Sequence, residues 1–221
     1  MSVLVIAPHA DDEVLGCGGT MARRAAEGRE VHVVVASIGD VLRSDGSLKV
    51  RSAERRSELA EACRRLGVAS HEVLFEGMEN LLDTLPRIEI VSQLDRVLQR
   101  RAWDEVFLPG VACHHDHEVV CEASLAALRQ RPGRKRECLS AQYEYPHSTW
   151  SNGPSDAGMW YVSLGRHLET KLSALAAYAS QSVPEPEPLS IEGVRRLALL
   201  RGVEVGVEAA ERFRILRQFE E

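Results

Sequence analysis

Residues 3–7, Val-Leu-Val-Ile-Ala, form an unbroken apolar run that ends at Pro8, and no other stretch constrains the fold as strongly. Short runs of this kind suit a strand covered on both faces, which occurs mainly in parallel sheets flanked by helices. Strand and helix patterns then alternate. Residues 31–36, 72–75 and 104–108 read as further strands. Residues 20–27, 50–66, 88–100 and 118–128 read as helices, the second carrying Leu59, Ala62, Cys63 and Leu66 on one stripe with Gly67 closing it. This order predicts an α/β fold, a Rossmann-like three-layer sandwich with a mostly parallel central sheet.

In a 3-2-1-4 strand order the chain doubles back between strands one and four, so the loops leaving those two strands flank one crevice. The first such loop holds His9, Asp11 and Asp12, and the second holds His114, His115, Asp116 and His117. Topology therefore brings together two clusters about a hundred residues apart. The last third is less regular. Residues 137–145 and 160–164 read as strands around a loop rich in Ser, Asn, Gly, Pro and Asp, residues 165–178 as a helix, and the Pro-Glu alternation of 184–188 as non-helical. A single domain over residues 1–221 is expected, with 132–221 as its less regular, substrate-side portion.

The net charge of −6 speaks against a nucleic-acid or anionic-membrane partner, and Arg134 to Arg136 beside Pro132 and Gly133 read as a solvated loop. No apolar run reaches the roughly twenty residues of a membrane span, and the apolar start is too short for a signal-peptide core. Five cysteines without C-x-x-C spacing read as reduced thiols of a cytoplasmic protein, with Cys113 beside the second histidine cluster.

A catalytic zinc usually takes three His or carboxylate ligands and leaves one position for water. His9, Asp12 and His117 meet that rule. Asp11 remains as the adjacent carboxylate that takes and returns a proton. His114, if protonated, is placed to stabilise an oxyanion, with Asp116 accepting its ring N–H. Singly, these residues have blander roles, since aspartates after a strand often cap helices. Gly16, Gly18 and Gly19 lack dinucleotide-fingerprint spacing and read as close-packing positions.

Ala7-Pro8-His9-Ala10-Asp11-Asp12-Glu13 with the following Gly-Cys-Gly-Gly-Thr, and His114-His115-Asp116-His117, resemble the two motifs of the PIG-L/LmbE-like family of zinc-dependent N-deacetylases. The resemblance implies one Zn2+ per chain on His9, Asp12 and His117, Asp11 as general base and His114 as oxyanion stabiliser. It also implies a substrate-contacting arginine, matched to Arg51 in Arg51-Ser52-Ala53-Glu54, and places Glu79 where many members carry an aspartate that meets sugar hydroxyls. Lys171, Tyr178, Arg201 and Glu211 lie in further similar segments. Ala10 and His115 depart from the pattern, standing where proline is usual, and Trp150 and Trp160 are candidates to line a pocket.

The activity so implied is removal of the acetyl group from an N-acetylated amino sugar or glycoside. Mixed His and carboxylate ligation also suits Fe2+. A metal-dependent phosphoesterase, and a non-catalytic sugar- or nucleotide-binding module with a vestigial site, are the alternatives. Substrate identity and homo-oligomer formation are left open by the sequence.

Overall fold

The computed structural model describes residues 1–42, 45–110, 112, 114–130, 137–148 and 158–220. Arg134 to Arg136, Cys113 and Trp150 lie outside the described residues.

The apolar run forms β1 (Ser2–Ala7), buried along its whole length. It is followed by α1 (Asp12–Ala26), β2 (Glu30–Ile38), β3 (Val41–Leu42), β4 (Leu48–Val50), α2 (Ser52–Leu66) and β5 (Ser70–Glu76). Then come α3 (Arg87–Gln99), β6 (Glu105–Pro109), α4 (His115–Ala127), β7 (Leu139–Tyr143), β8 (Met159–Ser163), α5 (His167–Leu175), α6 (Ile191–Val205) and β9 (Ala210–Gln218). The main sheet runs β5-β2-β1-β6-β7-β9-β8. Its first five strands are parallel, and β9 pairs antiparallel with both β7 and β8. The expected 3-2-1-4 order is present as β5-β2-β1-β6.

Side-chain alternation along β1 divides the core. Val3, Val5 and Ala7 pack on one face with residues of α1, α2 and α5, whereas Leu4 and Ile6 pack on the other with residues of α3 and α4. Burying each such aliphatic side chain contributes roughly 1.5–3 kcal/mol. Because β1 is the middle of the parallel set, its carboxyl end is held on both sides, by Val5 opposite Val33 and opposite Phe107.

Two helices begin earlier than the sequence predicts. α1 starts at Asp12 and carries Gly16, Gly18 and Gly19 within it. Glycine disfavours helix by about 1 kcal/mol relative to alanine, so tertiary packing decides here. A Cβ on Gly16 would lie 2.1 Å from the Tyr143 ring, and one on Gly19 would lie 2.6 Å from Leu164. α4 starts at His115 rather than 118, which puts most of the second cluster on its first turn. The short β3–β4 hairpin gave no sequence signal.

A buried ion pair braces α1. Lys171 Nζ donates to the Leu15 carbonyl (2.8 Å) and to Glu211 Oε1 (2.7 Å). Glu211 accepts the backbone amides of Gly19 (2.8 Å) and Thr20 (2.7 Å). Leu15 and Gly19 are the i, i+4 partners of a regular helix, so the pair sits against the helix's own hydrogen-bond ladder.

Candidate active site

The crevice is built from the loop after β1 and the first turn of α4, as the topology requires. Asp11 caps α1 in the left-handed region, with φ of 113°. Its amide donates to Glu13 Oε2 (3.0 Å), and Tyr178 donates its hydroxyl to the other oxygen of Glu13. Asp12 accepts the His9 amide at 3.0 Å, closing the loop on itself.

Asp12 Oδ2 stands 3.1 Å from His117 Nε2 and 3.5 Å from His9 Nδ1. Around a four-coordinate ion with bonds of about 2.0–2.1 Å, ligand atoms stand about 3.3 Å apart. Each of these two separations matches a shared ion. Ring nitrogens of His9, His114 and His117 also gather within 4.8 Å of one another.

Asp116 differs from its sequence-derived role. Its Oδ2 lies 2.8 Å from His9 Nε2 and accepts the Asn80 amide (2.7 Å), while its Oδ1 accepts the Leu82 amide (3.0 Å). The carboxylate therefore orients His9, not His114, and leaves His9 Nδ1 turned toward Asp12. A carboxylate on the remote nitrogen of a ligating histidine is the usual support for a metal-binding imidazole. The Nδ1 of His117, on the side of the ring away from Asp12, is buried and has no hydrogen-bond partner among the described residues.

The electrostatics call for a cation. Burial opposes charge on His9, yet hydrogen bonds to Asp116 and Asp12 outweigh it and push its pKa up to about 10. Burial would raise Asp12, but His117 and His9 hold it well below the usual carboxylate range. Asp11 is raised by burial and by the neighbouring Asp12 charge, with Arg55 opposing the rise. Burial is the chief cause that lifts Glu13 to about 7.

His114 is neutral. Burial, followed by the charges of His9, His117 and His115, lowers it to about 4. Its Nδ1 accepts the Asp116 amide (3.2 Å), so its proton sits on Nε2, 2.9 Å from Asn80 Oδ1. The partner that orients it is Asn80. Sequence reasoning missed Asn80, whose φ of 63° is a left-handed conformation that asparagine tolerates better than most residues.

The arginine at the site is Arg55. Arg51 caps α2 and is exposed, whereas Arg55 is buried, donates to the Ala10 carbonyl (2.9 Å) and pairs with Glu79. Within residues 51–58 the Arg-x-x-Glu spacing occurs twice, at 51/54 and at 55/58, and it is Arg55 of the second copy that is buried beside Ala10. Glu79 also accepts the Gly39 amide at 3.0 Å. Tyr145, likewise missed, sets its ring edge-on to His117 with centroids 4.7 Å apart. Trp160 lies elsewhere, packed on Phe107 and Phe213.

The PIG-L family, described as GlcNAc-PI de-N-acetylase, matches residues 4–128. The chain belongs to the PIG-L family. This PIG-L protein is 25% identical over 193 residues to the probable N-acetyl-alpha-D-glucosaminyl L-malate deacetylase 2 of Bacillus cereus, covering 81% of this chain and 83% of the relative. The N,N'-diacetylchitobiose deacetylase of Pyrococcus horikoshii superposes with a TM-score of 0.78 at 28% identity, over 97% of this chain and 83% of that one. The 4-carboxy-2-hydroxymuconate hydratase GalB of Pseudomonas putida KT2440 superposes at 0.79 with 22% identity, over 100% and 98% of the two chains, and shares the fold. The PIG-L protein is thus a hydrolase of the N-deacetylase class, and its His/Asp cluster is compatible with the metal on which such enzymes depend.

Proposed function

We propose that this PIG-L protein is a zinc-dependent deacetylase that removes the acetyl group from an N-acetylated amino sugar or glycoside and releases acetate. One observation carries the reading. His9, Asp12 and His117 meet across two loops, and a further carboxylate, Asp11, lies beside them without acting as their hydrogen-bond bridge. Bound there, zinc would lower the pKa of a coordinated water to around 7 and polarise the amide carbonyl.

The chain's own groups supply the rest. Asp11 takes a proton from the attacking water and returns it to the leaving amine, and its upward-shifted pKa suits a group that must do both. His114, neutral and protonated on Nε2, donates to oxygen charge that develops on the carbonyl by exchanging its Asn80 partner for the substrate. Arg55 keeps its charge beside Asp11 and, buried against the Ala10 carbonyl and Glu79, holds the loop that carries this carboxylate. One seven-stranded sheet takes strands from both ends of the chain, β1 from Ser2 and β9 to Gln218, which supports one working domain over residues 1–221. Free thiols at Cys17, Cys63, Cys121 and Cys138 fit a cytoplasmic setting. No helix among the described residues is long and apolar enough to cross a membrane.

The test is acetate release from a panel of N-acetylated glycosides by zinc-loaded protein. Asp11→Asn should retain zinc and lose about 10²–10⁴-fold in kcat, the usual contribution of a general base. Near-wild-type turnover by that variant removes Asp11 from the role. Absence of acetate from every substrate refutes the reaction.

A further inference from the structure

Beside the candidate metal cluster, His115 and Asp83 carry ligating atoms that the proposed reaction leaves unused. His115 is the first residue of α4 and stacks on His114 with ring centroids 4.6 Å apart. Its Nε2 faces three oxygens, the Asn80 carbonyl at 3.0 Å, Asp116 Oδ1 at 3.5 Å and Asp83 Oδ1 at 3.9 Å. Ligating atoms of His114, His115 and Asp116 all lie within 4.8 Å of one another. Among the described residues, Asp83 has its one ion pair with this imidazole.

We propose that His115, Asp83 and the Asn80 carbonyl, sharing Asp116 with the first cluster, hold a second divalent cation of the zinc and cobalt class. One borderline imidazole with carboxylate and carbonyl oxygens suits such ions better than soft, thiolate-seeking ones. The oxygen distances from Nε2 bracket the roughly 3.3 Å expected between neighbouring ligands of a small four-coordinate ion. The side chains of His115 and Asp83 are 48% and 52% exposed, so water competes for the ion and the positive end of α4 opposes it. The second ion is therefore held more weakly than the first.

Sharing Asp116 makes the two sites interact. Asp116 Oδ2 orients His9, and an ion drawing on Oδ1 withdraws charge from that contact. Filling the second site then lowers turnover, so excess divalent cation acts as a brake. The brake rests on the deacetylase reading; the binding site does not.

His115→Pro is a clean probe, because proline is favoured at the first position of a helix and the preceding residue, His114, has ψ of 129°, the extended conformation proline requires. Metal-free protein would be dialysed to equilibrium against Zn2+ and, separately, Co2+. Wild type should bind two ions, one tight and one weak. His115→Pro and Asp83→Asn should each bind one, with the tight affinity unchanged. At one equivalent of zinc, acetate release should match among all three proteins, and excess zinc should inhibit wild type alone. A single bound ion in wild type, or a second ion retained by both variants, overturns the proposal. Two ions without acetate release from any substrate leave the second site standing and sink the deacetylase reading.

Discussion

Replacing Asp116 by asparagine discriminates between two roles for this carboxylate, support of His9 or support of His114. The structure gives it three donors, the His9 ring and the Asn80 amide on Oδ2 and the Leu82 amide on Oδ1. Asparagine keeps one acceptor oxygen. With that oxygen toward His9, its NH2 group faces the Leu82 amide, donor against donor in a fully buried position. An unmet buried donor costs about 1–3 kcal/mol of stability. Loss of the carboxylate behind a ligating histidine typically weakens metal binding by about 10–100-fold. That range is about 1.4–2.7 kcal/mol. Competition with a chromophoric chelator should show the first zinc equivalent weakened within it, while kcat of the fully loaded variant falls less. Unchanged zinc affinity with a collapse of kcat would refute the reasoning and return Asp116 to the side of His114.

Lys171→Met leaves Glu211 buried without its cation, which costs about 3–5 kcal/mol. For a chain of this length that lowers Tm by roughly 6–20 °C. Adding Glu211→Gln should recover part of the loss, and a single-variant effect below about 1 kcal/mol would contradict the bracing role. Gly16→Ala drives a methyl into the Tyr143 ring, whose hydroxyl is fixed on the Ile6 carbonyl at 2.9 Å, so a loss of about 1–3 kcal/mol is expected. An unaltered Tm would show that the ring has room to move. Burial, then the Arg101 charge, holds His32 below its ordinary pKa of 6.5. Its contribution is therefore present above that value and is lost as pH falls through the depressed one. The urea midpoint of wild type should drop relative to His32→Gln below about pH 6.5. Parallel midpoints across that range would count against it.

The parallel core and its strand order could be read from the chain because β1 is buried on both faces and its apolar run has no polar interruption. Both histidine clusters could be placed for the same reason, since each follows a strand of that core. The start of α1 was obscured by its glycines, which disfavour helix locally and are required by Tyr143 and Leu164 from distant segments. Arg55 was hidden by a repeated Arg-x-x-Glu spacing, and only burial distinguishes the second copy from the exposed Arg51. Asn80 acts through a left-handed backbone and one amide oxygen, contacts that leave no periodicity behind. The partner of Asp116 is a matter of side-chain direction, which motif spacing does not encode.

The Lys171–Glu211 brace ties the opening of the chain to its close. The match to the family model ends at residue 128, yet the helix that begins with Asp12 is clamped by side chains from positions 171 and 211. A growing chain on the ribosome must emerge into its last strand before the first ligand loop acquires its final support. A premature stop beyond the motif region would spare both signatures and still abolish the clamp.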